Sequence, residues 1–139
     1  MTTMTKRKIL IIDDEPGFTH MVRLTLEKTG FYEVKEENKS LLGLATAREF
    51  KPDLILLDVL MPGVDGGDIA AKLKADPELH GIPVVFLTAT VPKREATSGG
   101  GLVSGGFVFL AKPVGIKELI KCIEDNVKPA PPLSGPTPA

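Results

Sequence analysis

The chain has no tryptophan, one tyrosine and one cysteine, Cys122. A single thiol excludes any internal disulfide. Neither sign of charge is in excess: 17 Lys and Arg stand against 18 Asp and Glu, a formal net charge of −1. A protein that holds nucleic acid mainly through its phosphates carries a basic surplus, and none is present. No apolar run approaches the roughly 18 residues of a membrane helix. Met1 to Lys8 is polar and leads straight into a strand-like run. It lacks the apolar stretch and small-residue cleavage site of a secretory signal, so the expected compartment is the cytoplasm.

What is present suits one domain. The chain has 139 residues, 42% apolar and 25% charged, a globular balance. Four short apolar runs stand out: Ile9–Ile12, Leu54–Leu57, Val84–Leu87 and Phe107–Leu110. Their length and β-branched content favour strands, and their continuous apolarity favours strands covered on both faces, as in a parallel sheet. Tyr32-Glu33-Val34-Lys35 alternates apolar and charged, which predicts an edge strand with one wet face.

Helical patterns separate the runs. Phe18, Met21, Val22 and Leu26 have helical spacing, and Gly30 stands at a C-cap position. Leu41 to Phe50 is a second helix, closed by Lys51-Pro52, and Gly66 to Ala75 a third, with Ile69 and Leu73 on one face. Ile116, Leu119, Ile120, Ile123 and Val127 form the clearest stripe, which leaves Cys122 off it as a partly exposed, inert thiol. His20 and His80 have no ligand-like partners and are expected at the surface. The β-α alternation predicts an α/β fold, a doubly wound parallel sheet with helices on both faces.

Two segments break the pattern. Ser98 to Gly106 holds five glycines in nine residues where a fourth helix is due. Each interior glycine costs a helix roughly 1 kcal/mol relative to alanine, so the expectation is at most a short helix over Pro92 to Thr97. Pro129 to Ala139 holds five prolines in eleven residues and is expected to be extended or disordered. The domain reading is therefore a polar extension over 1–7, a folded domain over 8–127 and a Pro-rich flexible tail over 128–139.

In open α/β sheets, ligands bind beyond the carboxyl ends of the strands. Asp13-Asp14-Glu15 follows the first apolar run, Asp58 the second and Thr88 the third. Lys112-Pro113 lies just past the fourth. In a parallel sheet these groups collect at one edge. Close carboxylates repel one another, and a hard divalent cation such as Mg²⁺ relieves the conflict with oxygen ligands. A nearby lysine meets a phosphoryl oxygen, a hydroxyl adds a donor, and a carboxylate can act as nucleophile to give an aspartyl phosphate.

Ile11-Ile12-Asp13-Asp14-Glu15-Pro16, Asp58-Val59-Leu60-Met61-Pro62-Gly63-Val64-Asp65-Gly66, Leu87-Thr88-Ala89 and Lys112-Pro113 stand in order, each at the end of a strand. With these four motifs the chain resembles the receiver domain of two-component response regulators, from about Lys8 to Val127. The resemblance implies a five-stranded sheet of order 2-1-3-4-5, the flavodoxin-like or CheY-like fold. It implies that Asp58 takes a phosphoryl group from a phosphohistidine on a histidine kinase or histidine phosphotransfer protein. Asp13, Asp14, Asp58 and the backbone carbonyl of Leu60 would hold Mg²⁺, or Mn²⁺. Thr88 would bond the phosphoryl group and move on activation, and Ala89 would leave the phosphate approachable. Lys112 would pair with a phosphoryl oxygen, Pro113 would follow it in a cis peptide, and Phe109 would be a switch aromatic. The roughly −1.5 to −2 charges added by phosphorylation would then shift the population of a surface read by a downstream partner, with a dimer through that surface as an option. Leu60 offers no polar side chain to an attacking water, which predicts a long-lived phosphoryl group. The expectation is a signalling receiver and not an enzyme with an external substrate, binding neither nucleic acid nor membrane.

Two rivals are weaker. A phosphohydrolase of the haloacid dehalogenase type would carry Asp two residues after Asp13, where Glu15 stands, and a cap domain has no room. A receiver-like interaction module that works without phosphorylation would not need Asp13, Asp14, Asp58, Thr88 and Lys112 together. Asp13 and Asp14 could also serve only as caps of the first helix.

Overall fold

The computed structural model describes residues 6–61, 64–88, 102–104, 107–111 and 115–126. The apolar runs are strands: β1 (Arg7–Ile12), β3 (Leu54–Asp58), β6 (Val84–Thr88) and β8 (Phe107–Ala111). The alternating run is β2 (Tyr32–Glu37), with Tyr32 and Val34 buried and Glu33 and Lys35 exposed. These five strands are parallel, in spatial order β2-β1-β3-β6-β8. That is the expected 2-1-3-4-5 order.

Among the described residues α1 (Pro16–Glu27), α2 (Gly43–Phe50) and α3 (Gly66–Ala75) lie between these strands, and α4 (Ile116–Asn126) follows β8. A 3₁₀ turn over Ser40–Leu42 precedes α2, so the helix expected from Leu41 starts two residues later. Gly43 allows α2 to close on β1: a Cβ there would lie 3.0 Å from Ile12 Cδ1. β1, β3 and β6 each supply both layers of core. Ile9, Ile11, Leu54 and Leu56 pack under α1 and α4 against Val22, Leu26, Leu119 and Ile123. Leu10, Ile12, Ile55 and Leu57 pack under α2 and α3 against Ala47, Ile69, Ala70 and Leu73. Among the described residues no helix is long and apolar enough to cross a membrane.

Three expectations need correction. The Gly-rich stretch contributes a strand, β7 (Leu102–Ser104), which pairs antiparallel with β8 and adds a sixth strand to the sheet. Only Gly105 and Gly106 separate the paired Ser104 and Phe107. A Gly-Gly pair between β-prone segments is a two-residue hairpin signal, and it competes with the helix due at this place in the β-α alternation. The short helix expected over Pro92 to Thr97 and the tail over 128–139 lie outside the described residues. Cys122 is fully buried, not partly exposed. The buried face of α4 runs through Leu119, Cys122 and Ile123, and Ile116 sits at its wet margin, so the stripe is rotated from the one expected. Burial, then the negative charge of Asp125, pushes the Cys122 thiol up to about 11. Met21 is the third: it is 45% exposed, and α1 is held by the narrower set of Val22, Leu26 and Phe18.

Candidate functional site

Strand register brings the acidic groups together. Ile12 pairs with Leu57, so Asp13 and Asp58, one residue further on, leave adjacent strands at the same level. The Val59 amide donates to Leu87 O at 3.0 Å, which holds the chain beyond Asp58 against β6. Asp13 and Asp58 are buried and Asp14 is half-buried. One carboxylate oxygen from each of Asp13, Asp14 and Asp58 lies within 4.8 Å of the others. Three hard oxygen donors, two of them withdrawn from water, suit a small divalent cation such as Mg²⁺ or Mn²⁺.

The capping-only reading of these aspartates fails. The N-cap of α1 is Glu15, without a side-chain capping bond. Asp13 Oδ1 instead accepts the Glu15 amide at 3.0 Å, in a local turn that orients its carboxylate. Pro16 then starts the helix, where its missing N–H costs nothing.

The other expected residues divide. Thr88 ends β6 and pairs with Ala111, the residue before Lys112, so its backbone lies at the same sheet edge. Leu60 begins β4 (Leu60–Met61), which pairs antiparallel with β5 (Val64–Asp65) just beyond Asp58. Phe109 is half-buried and stacks on Phe86, ring centroids 5.0 Å apart. Ala89, Lys112 and Pro113 lie outside the described residues.

A second polar group escaped the sequence reading. Asn38 Nδ2 donates to Asp13 O and to Thr19 Oγ1, each at 2.9 Å. Thr19, fully buried on α1, donates to Glu36 Oε1 at 2.8 Å. His20 is exposed, as expected, but Nδ1 lies 3.4 Å from Glu36 Oε2, and Arg23 Nη1 lies 3.5 Å from the same oxygen. Burial opposes ionisation of Glu36, but bonds from Thr19, His20 and Arg23 outweigh it and leave its carboxyl below the ordinary value. Nothing in the spacing of Thr19, Glu36 and Asn38 marks them as neighbours; strand pairing and helix docking bring them together.

A doubly wound sheet with an aspartate cluster beyond its carboxyl edge defines the class: a receiver-type α/β domain. The match to known proteins is specific. The response regulator receiver domain family model matches residues 9–124, and the chain belongs to that family, the signalling receivers of two-component systems. It is 40% identical over 118 residues to protein PilH of Pseudomonas aeruginosa, covering 84% of this chain and 93% of PilH. It is 37% identical over 128 residues to the DNA-binding response regulator MtrA of Mycolicibacterium smegmatis, covering 92% of this chain and 53% of MtrA. The match to the transcriptional regulator RpaA of Synechocystis covers 46% of that protein, so the chain spans about half the length of these two regulators. Among solved structures, chemotaxis protein CheY4 of Vibrio cholerae superposes with a TM-score of 0.74 at 25% identity, covering 88% of this chain and all of CheY4. Receivers typically bind Mg²⁺ at acidic residues, and the cluster of Asp13, Asp14 and Asp58 fits such an ion.

Proposed function

We propose that this chain is a phosphoacceptor switch, a receiver over 8–127, in which Asp58 takes a phosphoryl group from a phosphohistidine on a histidine kinase or histidine phosphotransfer protein. The observation that carries the reading is the convergence of Asp13, Asp14 and Asp58 within 4.8 Å at the carboxyl edge of the parallel sheet. An Asp58 carboxylate oxygen attacks phosphorus; the P–O bond forms as the P–N bond to imidazole breaks, and the imidazole leaves with the bonding pair. Asp13, Asp14, Asp58 and the Leu60 carbonyl would hold Mg²⁺, which would neutralise the crowded negative charge when bound. Burial of Asp58 limits the water that competes with the acceptor and hydrolyses the product. Thr88 and Lys112, from the ends of the next two strands, receive the phosphoryl oxygens, with Ala89 leaving the approach open. Phe109 and the Lys112-Pro113 peptide transmit the change to a surface that a downstream protein reads.

The test is incubation of the parent and Asp58→Asn with acetyl phosphate and Mg²⁺, read by intact mass. The expected result is one Mg²⁺-dependent phosphoryl adduct in the parent and none in Asp58→Asn. No adduct from acetyl phosphate or from a phosphorylated histidine phosphotransfer protein would overturn the reading. An adduct of equal yield in Asp58→Asn would move the acceptor elsewhere.

A further inference from the structure

We propose that Asn38 and Thr19 are positioning residues that hold Asp13 for the cation. The inference rests on the reading of the aspartate cluster as a cation site. Asp13 is fixed at three points. Its N–H donates to Glu37 O at 3.1 Å, its carbonyl accepts from Asn38 Nδ2 at 2.9 Å, and its Oδ1 accepts the Glu15 amide at 3.0 Å. Two of the three anchors come from the end of β2 and the residue after it. The third sets the direction of the carboxylate.

Hydrogen accounting gives the network one sense. The Asn38 amide has two hydrogens, and they go to Asp13 O and Thr19 Oγ1. The Thr19 hydroxyl has one hydrogen and two acceptors in reach, Pro16 O at 3.2 Å and Glu36 Oε1 at 2.8 Å. The shorter bond, to a carboxylate, takes it, because an ionised acceptor makes the stronger hydrogen bond. Glu36 is in turn steadied by Arg23 and His20 from α1. The result is a directed chain, Asp13 carbonyl from Asn38, Asn38 onto Thr19, Thr19 onto Glu36. It clamps the β1–α1 junction to the end of β2, beside the cluster. Without the Asn38 amide the Asp13 carbonyl loses its side-chain donor, and the tie from the β1–α1 junction to Thr19 is broken. Groups that orient metal-binding side chains in this way typically contribute roughly 10- to 100-fold in metal affinity.

The experiment measures Mn²⁺ affinity by electron paramagnetic resonance on the full chain, with urea midpoints measured alongside. The proteins are the parent, Asn38→Ala, Thr19→Val, Thr19→Ser and, as a remote control, Arg48→Ala, which removes the surface ion pair with Asp76. The expected result is a loss of roughly tenfold or more in Asn38→Ala and Thr19→Val, with parental affinity in Thr19→Ser and Arg48→Ala. Thr19 is buried, and if its valine variant does not fold, the half-buried Asn38→Ala decides. Parental affinity in folded Asn38→Ala overturns the positioning role while the cation site stands. An equal loss in Arg48→Ala also overturns it, since the effect would then follow stability and not Asp13. A parent that binds no Mn²⁺ overturns the cation site and the inference with it.

Discussion

Lys51 closes α2 with φ at 53°, the one described non-glycine residue in the left-handed region. For an L residue with a side chain that region costs about 1 kcal/mol or more, and glycine is the usual occupant of such a helix end. Lys51 is exposed, and its position forfeits little packing. Lys51→Gly is therefore expected to stabilise the fold by about 0.5 to 1 kcal/mol, the greater freedom of glycine in the unfolded chain offsetting part of the relief. A urea titration checks it: the midpoint rises with an unchanged slope, and a lower midpoint refutes the strain argument. Cys122 shows the same scale from the other side, where one buried thiol behaves as a small apolar core residue.

The joint between β2 and α1 is the element that merits a pH test. Glu36 joins them through Thr19, His20 and Arg23, and its carboxyl lies below its ordinary value of 4.5 because those bonds outweigh burial. A carboxyl with a depressed folded pKa adds stability above its unfolded pKa and loses it as pH falls through the folded one. The parent should therefore exceed Glu36→Gln in stability near neutral pH. The gap should close as pH falls below 4.5. Urea unfolding of both proteins across the acidic range reads it directly, and a gap that persists unchanged in acid refutes the ionic part of the joint. Elsewhere the helices are held by apolar faces, with surface pairs such as Lys121–Asp125 adding little.

Across the whole molecule, a cation at the acidic cluster would set binding against stability. Folding gathers three carboxylates within 4.8 Å, which costs free energy in the absence of a counter-ion. A cation that binds only the folded state repays this by mass action, about 2.7 kcal/mol at a hundred times its dissociation constant. The parent is therefore expected to melt higher as Mg²⁺ is added. Asp13→Asn should melt above the parent without Mg²⁺ and respond weakly to it. Calorimetry with and without the ion checks both, and equal Mg²⁺ responses in the two proteins would remove Asp13 from the cation site.

Most of the fold was legible because its signals are local. Continuous apolar runs mark strands covered on both faces, and the Tyr32-Glu33-Val34-Lys35 alternation marks the strand with a wet face. Asp13, Asp14 and Asp58 were legible for the same reason: a parallel sheet sends the residues after its strands to one edge. Three features needed tertiary structure. The rotation of α4 that buries Cys122 depends on how the helix seats on the sheet, which its periodicity leaves open by a residue. For Leu102–Ser104 the Gly-Gly pair marks a turn, but which residues it sets opposite each other, Leu102 with Phe109 and Ser104 with Phe107, is a matter of register. Asn38 meets Asp13 across 25 residues of chain and Thr19 across 19, through strand pairing and helix packing. Which chemical groups the carboxyl edge carries follows from the chain alone, because side-chain identity and strand order are written along it. Tertiary structure alone decided what holds those groups still, because hydrogen-bond partners are chosen by distance in space.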